Sequence, residues 1–319
     1  MEYHKNLREA WGQALLELAR RNPDVVALEA DLGKSTRSAL LKAEFPERHF
    51  EMGIAEQDMA STAAGLALAG KMPFIHSFAV FASGRAYDQL RSSICIPGLN
   101  VRVCGSSAGL SDFGDGKTHQ AVEDAAIMRA LPNMTVLCPA DGIECAKMVA
   151  ALETHRGPAY VRINRNDLPF VTPPEEPYRI GKVTVLREGT DAVVFACGVM
   201  VSRSLEAAGR LDHAGISTRV VNVSTLKPLD RAAIVEQARS MRAIVTAEEH
   251  SVIGGLGSAV LEALRRERHA PLEMVGIQDS FGLSAADYEG LLRHFGLTAE
   301  AVESTVAELV AAASAAGRG

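Results

Sequence analysis

Short apolar runs alternate with helical stretches along almost the whole chain. Four runs in the first half have the composition of buried strands: residues 24–30, 100–105, 134–140 and 159–163. The stretches that separate these runs have helical patterns: residues 57–70, 85–95, 121–131 and 142–155. Alternation of this kind is typical of βαβ units, in which a crossover helix joins two parallel strands. The pattern therefore predicts an α/β fold built on mainly parallel sheets.

The stretch 168–182 interrupts this alternation. It holds four prolines, two glutamates and a glycine, which is the composition of a linker. Beyond it the pattern restarts, with predicted strands at residues 183–186, 191–198, 217–224, 242–249 and 272–278. We therefore predict two doubly wound α/β domains, the first over residues 1–172 and the second over residues 178–319.

Charge and hydropathy argue against two classes of partner. The 33 Lys and Arg residues are outnumbered by 39 Asp and Glu and are not clustered, so nucleic acid is not an expected ligand. The longest uncharged stretch is the 13 residues from Met72 to Gly84, too short to span a bilayer. The five cysteines form no CxxC pair, which favours buried thiols and a reducing, cytoplasmic location.

Several residue types that carry chemistry lie in the first half. Glu56 follows a glycine turn and precedes a helix of small residues, where it could serve chemistry or only complement the helix dipole. Phe78 and Phe81 could form a flat pocket wall or plain core. His119 lies with Asp115 in a loop rich in Gly and Ser, and loops after parallel strands are where α/β proteins place ligands.

The stretch from Glu51 to Asp141 resembles the pyrimidine-binding domain of transketolases and 1-deoxyxylulose-5-phosphate synthases. Five blocks occur in that family's order and approximate spacing: GIAEQ, SFAVFASGRAYDQLR, GDGKTHQ, MRALPNM and PAD. The two-domain layout is also similar, so the resemblance covers essentially the whole chain. It implies a thiamine diphosphate enzyme that transfers a two-carbon ketol unit from a ketose to an aldose.

The resemblance assigns the cofactor side of the site residue by residue. It implies that Glu56 meets N1′ of the aminopyrimidine, where a carboxyl group activates the cofactor for loss of its C2 proton. Phe78 and Phe81 correspond to aromatic residues that pack on the pyrimidine, and Asp31 to a residue beside the cofactor. A third aromatic residue of the family aligns with Gly84 and is missing here.

The substrate side is implied in the same way. His119 and Asp115 correspond to residues that contact the ketose hydroxyls, while Ser35 and Arg165 correspond to a clamp on the substrate phosphate. A second histidine of the transketolase channel is absent from residues 105–107. The residue that completes the anion site is left open among three cations: Lys5, Arg8 and Lys34.

Thiamine diphosphate proteins hold Mg²⁺ and the diphosphate with a GDG that is followed some 25–30 residues later by Asn. The GDG at residues 114–116 lies in the block that resembles a substrate loop, and Asn133 and Asn164 follow its Asp115 by 18 and 49 positions. Mg²⁺ and the diphosphate are therefore expected on a separate N-terminal subunit that carries the true motif. An α₂β₂ assembly with a contact between two copies of this chain is the economical arrangement.

Three other interpretations stay open. A split 1-deoxyxylulose-5-phosphate synthase shares GIAEQ, although RNDLP at residues 165–169 favours transketolase. The beta subunit of a 2-oxoacid dehydrogenase shares the architecture but not the THQ loop. A non-catalytic partner subunit is disfavoured, because Glu56, Phe78, Phe81 and His119 are all kept. The donor is expected to be an anionic ketose, with either a phosphate or a sulfonate group.

Overall fold

The computed structural model describes residues 3–316 and contains two mainly parallel β-sheets flanked by helices. This architecture confirms the predicted α/β fold with two mainly parallel sheets. The strands are β1 Val25–Glu29, β2 His49–Glu51, β3 Met72–Phe78, β4 Arg102–Ser106, β5 Thr135–Leu137, β6 Ala159–Ile163, β7 Thr184–Arg187, β8 Ala192–Ala196, β9 Thr218–Asn222, β10 Thr225–Lys227, β11 Ala243–Ser251 and β12 Leu272–Ile277. None of the helices within this part of the chain has the length and apolar character needed to cross a membrane.

Twelve α-helices connect and cover the strands in the described part of the chain. They are α1 Leu7–Arg21, α2 Gly33–Thr36, α3 Ala39–Glu44, α4 Glu56–Leu68, α5 Tyr87–Gln89, α6 Asp124–Ala130, α7 Gly142–Leu152, α8 Met200–His213, α9 Arg231–Ala238, α10 Leu256–Leu264, α11 Tyr288–His294 and α12 Ala299–Ala316. The helix predicted over residues 85–95 is largely π-helical, since α5 lies between the π-turns Phe81–Arg85 and Leu90–Cys95. Widened turns of this kind are frequent at functional sites.

The first sheet has the strand order β10-β5-β6-β4-β3-β1-β2, and the second has the order β12-β11-β8-β9-β7. Strand β10 comes from the second half of the chain but pairs antiparallel with β5 in the first sheet, an exchange that the sequence did not predict. The Lys227 ammonium anchors it by donating to the Arg129 carbonyl at 2.8 Å. The domain boundary between residues 172 and 178 stays a prediction, but the two halves share a sheet.

The linker also packs closely on the first domain. The Asp141 carboxylate, at the N-cap of α7, accepts hydrogen bonds from the backbone N–H groups of Val171 and Thr172, both at 2.7 Å. The Lys147 ammonium donates to the carbonyls of Pro173 and Glu176 at 2.5 and 2.6 Å. These bonds hold the proline-rich segment against the first domain, although its composition is typical of a flexible linker.

A buried histidine lies at the centre of the first core. His76 is fully buried in β3, accepts a hydrogen bond from Trp11 Nε1 at 3.1 Å and, through Nδ1, contacts the Leu28 carbonyl at 3.3 Å. This arrangement fits a neutral imidazole, because Nε2 must stay unprotonated to accept the Trp11 N–H. Burial lowers the pKa of His76 from its ordinary value of 6.5 to about 4.

We predict that the stability of the chain depends on pH through His76. Its folded-state pKa lies below the unfolded value, so its contribution is present above pH 6.5 and is lost as the pH falls toward 4. Between pH 7 and pH 5 this loss should be about 2 kcal/mol in the free energy of unfolding. A His76→Gln variant should lose less stability over that interval, as measured by urea unfolding at each pH. The exposed His213 provides the control, and equal losses in wild type and His76→Gln would contradict the prediction.

Candidate functional site

The candidate site lies at one edge of the first sheet. Strands β1, β3 and β4 are parallel neighbours, so their carboxyl ends meet there. The segments that follow them carry several of the predicted residues: the turn at 31–35, the π-turn Phe81–Arg85 and the loop at 107–120. This is the edge at which open α/β sheets bind ligands, because the connecting segments splay apart there.

Glu56 is the first residue of α4 and its side chain is 1% exposed. Both carboxylate oxygens have partners: Oε1 accepts from the Ser77 hydroxyl at 3.1 Å, and Oε2 accepts from Arg85 Nη1 at 2.7 Å. A glutamate that merely complemented the helix dipole would have no need of burial, since such residues act from the surface. The carboxylate is therefore buried, oriented and paired.

An aromatic wall stands beside this carboxylate. The rings of Phe78 and Phe81 are nearly parallel, with centroids 6.3 Å apart and planes inclined by 16°. His119 presents its ring edgewise to both, at 5.4 Å from Phe81 and 6.2 Å from Phe78. The structure thus brings together three residues that span 41 positions of the sequence (119 − 78), and they form an aromatic wall of two stacked rings with an imidazole packed against both.

The third aromatic residue of the family is replaced here by Gly84, and the space next to this glycine is unoccupied. A Cβ atom added at Gly84 would meet no atom within 4 Å. The neighbouring Arg85 guanidinium instead lies over the Phe81 ring, with its carbon 4.6 Å from the ring centroid. Arg85 therefore contacts both Glu56 and the aromatic wall.

The turn after β1 is held from below by a buried glutamate. Glu29 accepts from the Thr36 hydroxyl at 2.6 Å and from the Leu32 N–H at 3.2 Å, and burial raises its pKa to about 7. Asp31 follows it with a φ of 58°, a left-handed conformation that Asp tolerates better than most residues. Its N–H donates to Glu51 Oε1 at 2.8 Å, and its side chain is exposed.

The predicted anion residues lie near one another. Arg165 Nη1 forms an ion pair of 2.6 Å with the buried Asp112, and Arg8 Nη1 donates to the Ser35 carbonyl at 3.2 Å. Burial lowers the pKa of Arg8, and the charges of Arg165 and Arg37 lower it further, so these guanidinium groups are close enough to repel. Of the three cations that could complete the anion site, Arg8 is thus the one that lies beside both Ser35 and Arg165.

Lys5 and Lys34, the other two candidates, have exposed side chains. The Lys5 carbonyl accepts from the Leu168 N–H at 3.0 Å, and the Lys34 carbonyl accepts from Arg37 Nη1 at 3.4 Å. Both of these contacts are made by the main chain of the lysine and not by its ammonium group. Neither lysine ammonium is placed against Ser35 or Arg165 by those contacts.

The second domain supports the loop that carries His119. Buried Glu249 at the end of β11 accepts from the Leu110 N–H at 2.8 Å, and the Gln120 amide donates to the Leu283 carbonyl at 2.9 Å. Gly116 of the GDG has a φ of 74°, and a Cβ there would lie 2.2 Å from the Ser284 hydroxyl, so only glycine fits. The adjacent Asp115 is exposed just before the 3₁₀ turn Gly116–Thr118.

The GDG therefore belongs to a tight turn that packs on the second domain. Within residues 3–316, no group of three or more His, Cys, Asp or Glu side chains is placed to hold a metal ion. The arrangement around Glu56 does fit the ring of an aminopyrimidine, because it offers a buried carboxylate for a ring nitrogen and an aromatic face for the ring.

Four residues of the site were not singled out from the sequence: Ser77, Arg85, Asp112 and Glu249. Arg85 lies four positions after Phe81, a spacing that places two side chains on one helical face and could have indicated the contact. Asp112 and Glu249 reach the site from a loop and from the other domain, and no local pattern marks them.

Comparison with known proteins agrees with this geometry. The chain matches the family models of the transketolase pyrimidine binding domain over residues 4–171 and of the transketolase C-terminal domain over residues 181–302. It is 40% identical to a putative transketolase C-terminal section of Methanocaldococcus jannaschii, over 96% of each chain. A 6-deoxy-6-sulfo-D-fructose transketolase subunit of Clostridium sp. is 41% identical over 93% of this chain and 92% of its own.

A solved structure is also similar. A split gene transketolase, an inactive beta4 tetramer, superimposes with a TM-score of 0.87 at 46% identity, over 96% of this chain and 98% of that one. The resemblance inferred from the five sequence blocks is confirmed. The chain belongs to the transketolase family and contains that family's pyrimidine-binding and C-terminal domains.

Proposed function

We propose that this chain is the C-terminal subunit of a two-subunit transketolase that moves a two-carbon ketol unit from an anionic ketose to an aldose. The observation that carries the proposal is the convergence of Glu56, Phe78, Phe81 and His119 at one edge of the first sheet. Bound thiamine diphosphate supplies the carbon nucleophile that carries the two-carbon unit. The chain's own residues bind one end of that cofactor and orient the sugar.

Glu56 is proposed as the group that holds a proton at N1′ of the aminopyrimidine. Its burial excludes water from that hydrogen bond, and the Ser77 hydroxyl fixes the orientation of the other oxygen. Phe78 and Phe81 support the plane of the ring, and Asp31 lies at the next strand end of the same edge. These roles follow from the chemistry of the side chains and from the family resemblance.

His119 is proposed to contact the ketose hydroxyls near the bond that breaks, with Asp115 from the same loop. The Thr118 hydroxyl lies 2.9 Å from His119 Nδ1 and, together with the edgewise contacts to both phenylalanines, restrains the imidazole. An imidazole held in this way can donate or accept a proton at a substrate hydroxyl.

The acidic end of the substrate is proposed to bind between Ser35, Arg8 and Arg165. Guanidinium groups suit this task, because their planar N–H donors match a phosphate or sulfonate. Asp112 pairs with Arg165 in the free chain and moderates the positive charge of the clamp. We therefore assign Arg8, rather than Lys5 or Lys34, as the cation that completes the site.

The diphosphate and its Mg²⁺ are proposed to bind mainly to a separate N-terminal subunit that carries a GDG motif with a correctly spaced Asn. The two family matches span only the pyrimidine-binding and C-terminal domains, and relatives of the same length are described as sections or subunits. An α₂β₂ assembly with a contact between two copies of this chain follows as the symmetric arrangement. The five free, buried cysteines suit a cytoplasmic enzyme.

Reconstitution tests this proposal. The chain should be inactive alone and should gain ketol transfer when it is co-expressed with an N-terminal subunit, which should co-purify with it. Donors should be screened as matched phosphate and sulfonate ketoses, because the clamp accepts either anion. Pyruvate serves as the donor that reports the alternative: its decarboxylation with formation of a 1-deoxyketose would identify a split 1-deoxyxylulose-5-phosphate synthase. Tight, Mg²⁺-dependent binding of thiamine diphosphate to the isolated chain would contradict the division of the site.

We expect Glu56→Gln to lower kcat of the reconstituted enzyme by about 10²–10⁴-fold, because an amide cannot share an acidic proton with N1′. Folding should survive, since the volume and hydrogen-bonding capacity are kept. Hydrogen–deuterium exchange at C2 of the bound cofactor, read by NMR after acid quench, isolates this step. The exposed Asp58 in the same first turn gives the matched control: Asp58→Asn removes an equal charge from the helix and should leave exchange unchanged. If C2 of the cofactor exchanges as fast in Glu56→Gln as in wild type, Glu56 does not activate the cofactor and serves only at the start of the helix.

Arg165→Ala should raise KM for an anionic ketose by about ten- to a hundredfold, the effect of losing a charged hydrogen bond. The fall in kcat should be smaller, because the clamp holds the anion equally in the ground state and the transition state. Steady-state kinetics with the preferred donor gives both numbers. Lys5→Ala is the control from the same region and should behave as wild type. Unchanged KM for every anionic ketose would show that the anion binds elsewhere.

A further inference from the structure

The Arg85 guanidinium occupies the place that the proposed function gives to the cofactor ring. It donates from Nη1 to Glu56 Oε2 at 2.7 Å, and its central carbon lies 4.6 Å above the Phe81 ring. The group is flat, carries N–H donors in its plane and is attracted to an aromatic face. Arg85 therefore makes one hydrogen bond to the buried carboxylate and one contact with the aromatic wall.

An aminopyrimidine whose N1′ is bonded to Glu56 requires the same two contacts. Its ring nitrogen shares a proton with the carboxylate, while its face packs on a phenylalanine. Oε1 of Glu56 already accepts from Ser77, so Oε2 is the oxygen for which the ring nitrogen and Arg85 compete. Two flat groups cannot occupy the same face of Phe81 and the same oxygen at one time.

The free subunit has a physical reason to keep this pair. A carboxylate that is 1% exposed is strongly destabilised if its charge has no partner. Before the N-terminal subunit brings the cofactor, Arg85 is the cation that satisfies Glu56. The pair thus stabilises the subunit in the state in which the site is incomplete.

Arg85 also has the freedom to leave. Its side chain is 44% exposed, in contrast to Glu56, so the guanidinium can turn into solvent without crossing the core. It ends the π-turn Phe81–Arg85, and the adjacent Gly84 leaves open space where the family has an aromatic side chain. A ring that arrives at Phe81 therefore meets a movable side chain.

We propose that Arg85 is a stand-in for the aminopyrimidine: it closes the site over Glu56 in the free subunit and is displaced when the cofactor binds. This inference rests on the proposed function. A competing internal group lowers the apparent affinity for the cofactor by the fraction of molecules in which the site is open. Arg85 thus orients Glu56 as a positioning residue in the free chain, and it lowers the apparent affinity of the site for the cofactor.

The test uses Arg85→Met, which keeps a long apolar stem and removes the cation. The probe is thiamine diphosphate with Mg²⁺, titrated by calorimetry into the complex reconstituted with the N-terminal subunit. The Kd should fall by roughly 5- to 30-fold. This is the effect of removing a competing charged hydrogen bond, reduced because Arg85 is partly exposed to solvent. Structural damage would weaken binding, so tighter binding is specific to release of a competitor. Arg91→Met removes an exposed arginine six positions further along the same segment and should leave Kd unchanged.

An unchanged or higher Kd for Arg85→Met would overturn the inference, and a higher Kd would make Arg85 a direct ligand of the cofactor. A second measurement covers the case in which the variant does not fold. In crystals of the wild-type complex with thiamine diphosphate, Arg85 Nη1 should lie beyond about 3.5 Å from Glu56 Oε2, outside hydrogen-bond distance; retention of the bond would overturn the inference. If the wild-type complex binds no thiamine diphosphate, the proposed function itself fails, which is a different result.

Discussion

A buried carboxylate that must always have a partner is the constraint on which the site depends. Glu56 is enclosed at the start of α4, where Ser77 from β3 and Arg85 from the π-turn meet it. The cost of an unpaired charge in that place explains why three separate elements converge there. The Phe81 ring then limits which partner can take the place of Arg85, because that partner must be a planar donor that reaches the carboxylate and packs on the ring.

The second domain takes part in the site without contributing a reacting group. Glu249 holds the Leu110 N–H, and Leu283 accepts from Gln120, so the loop that carries His119 is fixed from the other side. Strand β10 completes the first sheet from the same direction. The second domain therefore helps to determine how precisely the substrate loop is placed.

The anion clamp shows how charge balance is set by packing. Arg8 and Arg165 come from opposite ends of the first domain, 157 positions apart (165 − 8), and Asp112 comes from the loop between β4 and the 3₁₀ turn. Two neighbouring guanidinium groups repel each other, and the buried carboxylate offsets that repulsion when no substrate is bound. The RNDLP motif identified Arg165 as an anion-binding residue. The sequence did not decide whether Arg8, Lys5 or Lys34 completes the site, because proximity in space leaves no local pattern in a sequence.

Two mainly parallel α/β sheets and the family could be predicted before any coordinates were known, because apolar periodicity and motif order are local properties of a chain. The resemblance carried by five ordered blocks then implied that Glu56, Phe78, Phe81 and His119 belong to one site. The folded chain was needed to show that Arg85 pairs with Glu56, that β10 joins the first sheet and that Glu249 holds the substrate loop. These are contacts between residues far apart in sequence or on an irregular turn, where the partner of a buried polar group is chosen by the packing of the whole fold.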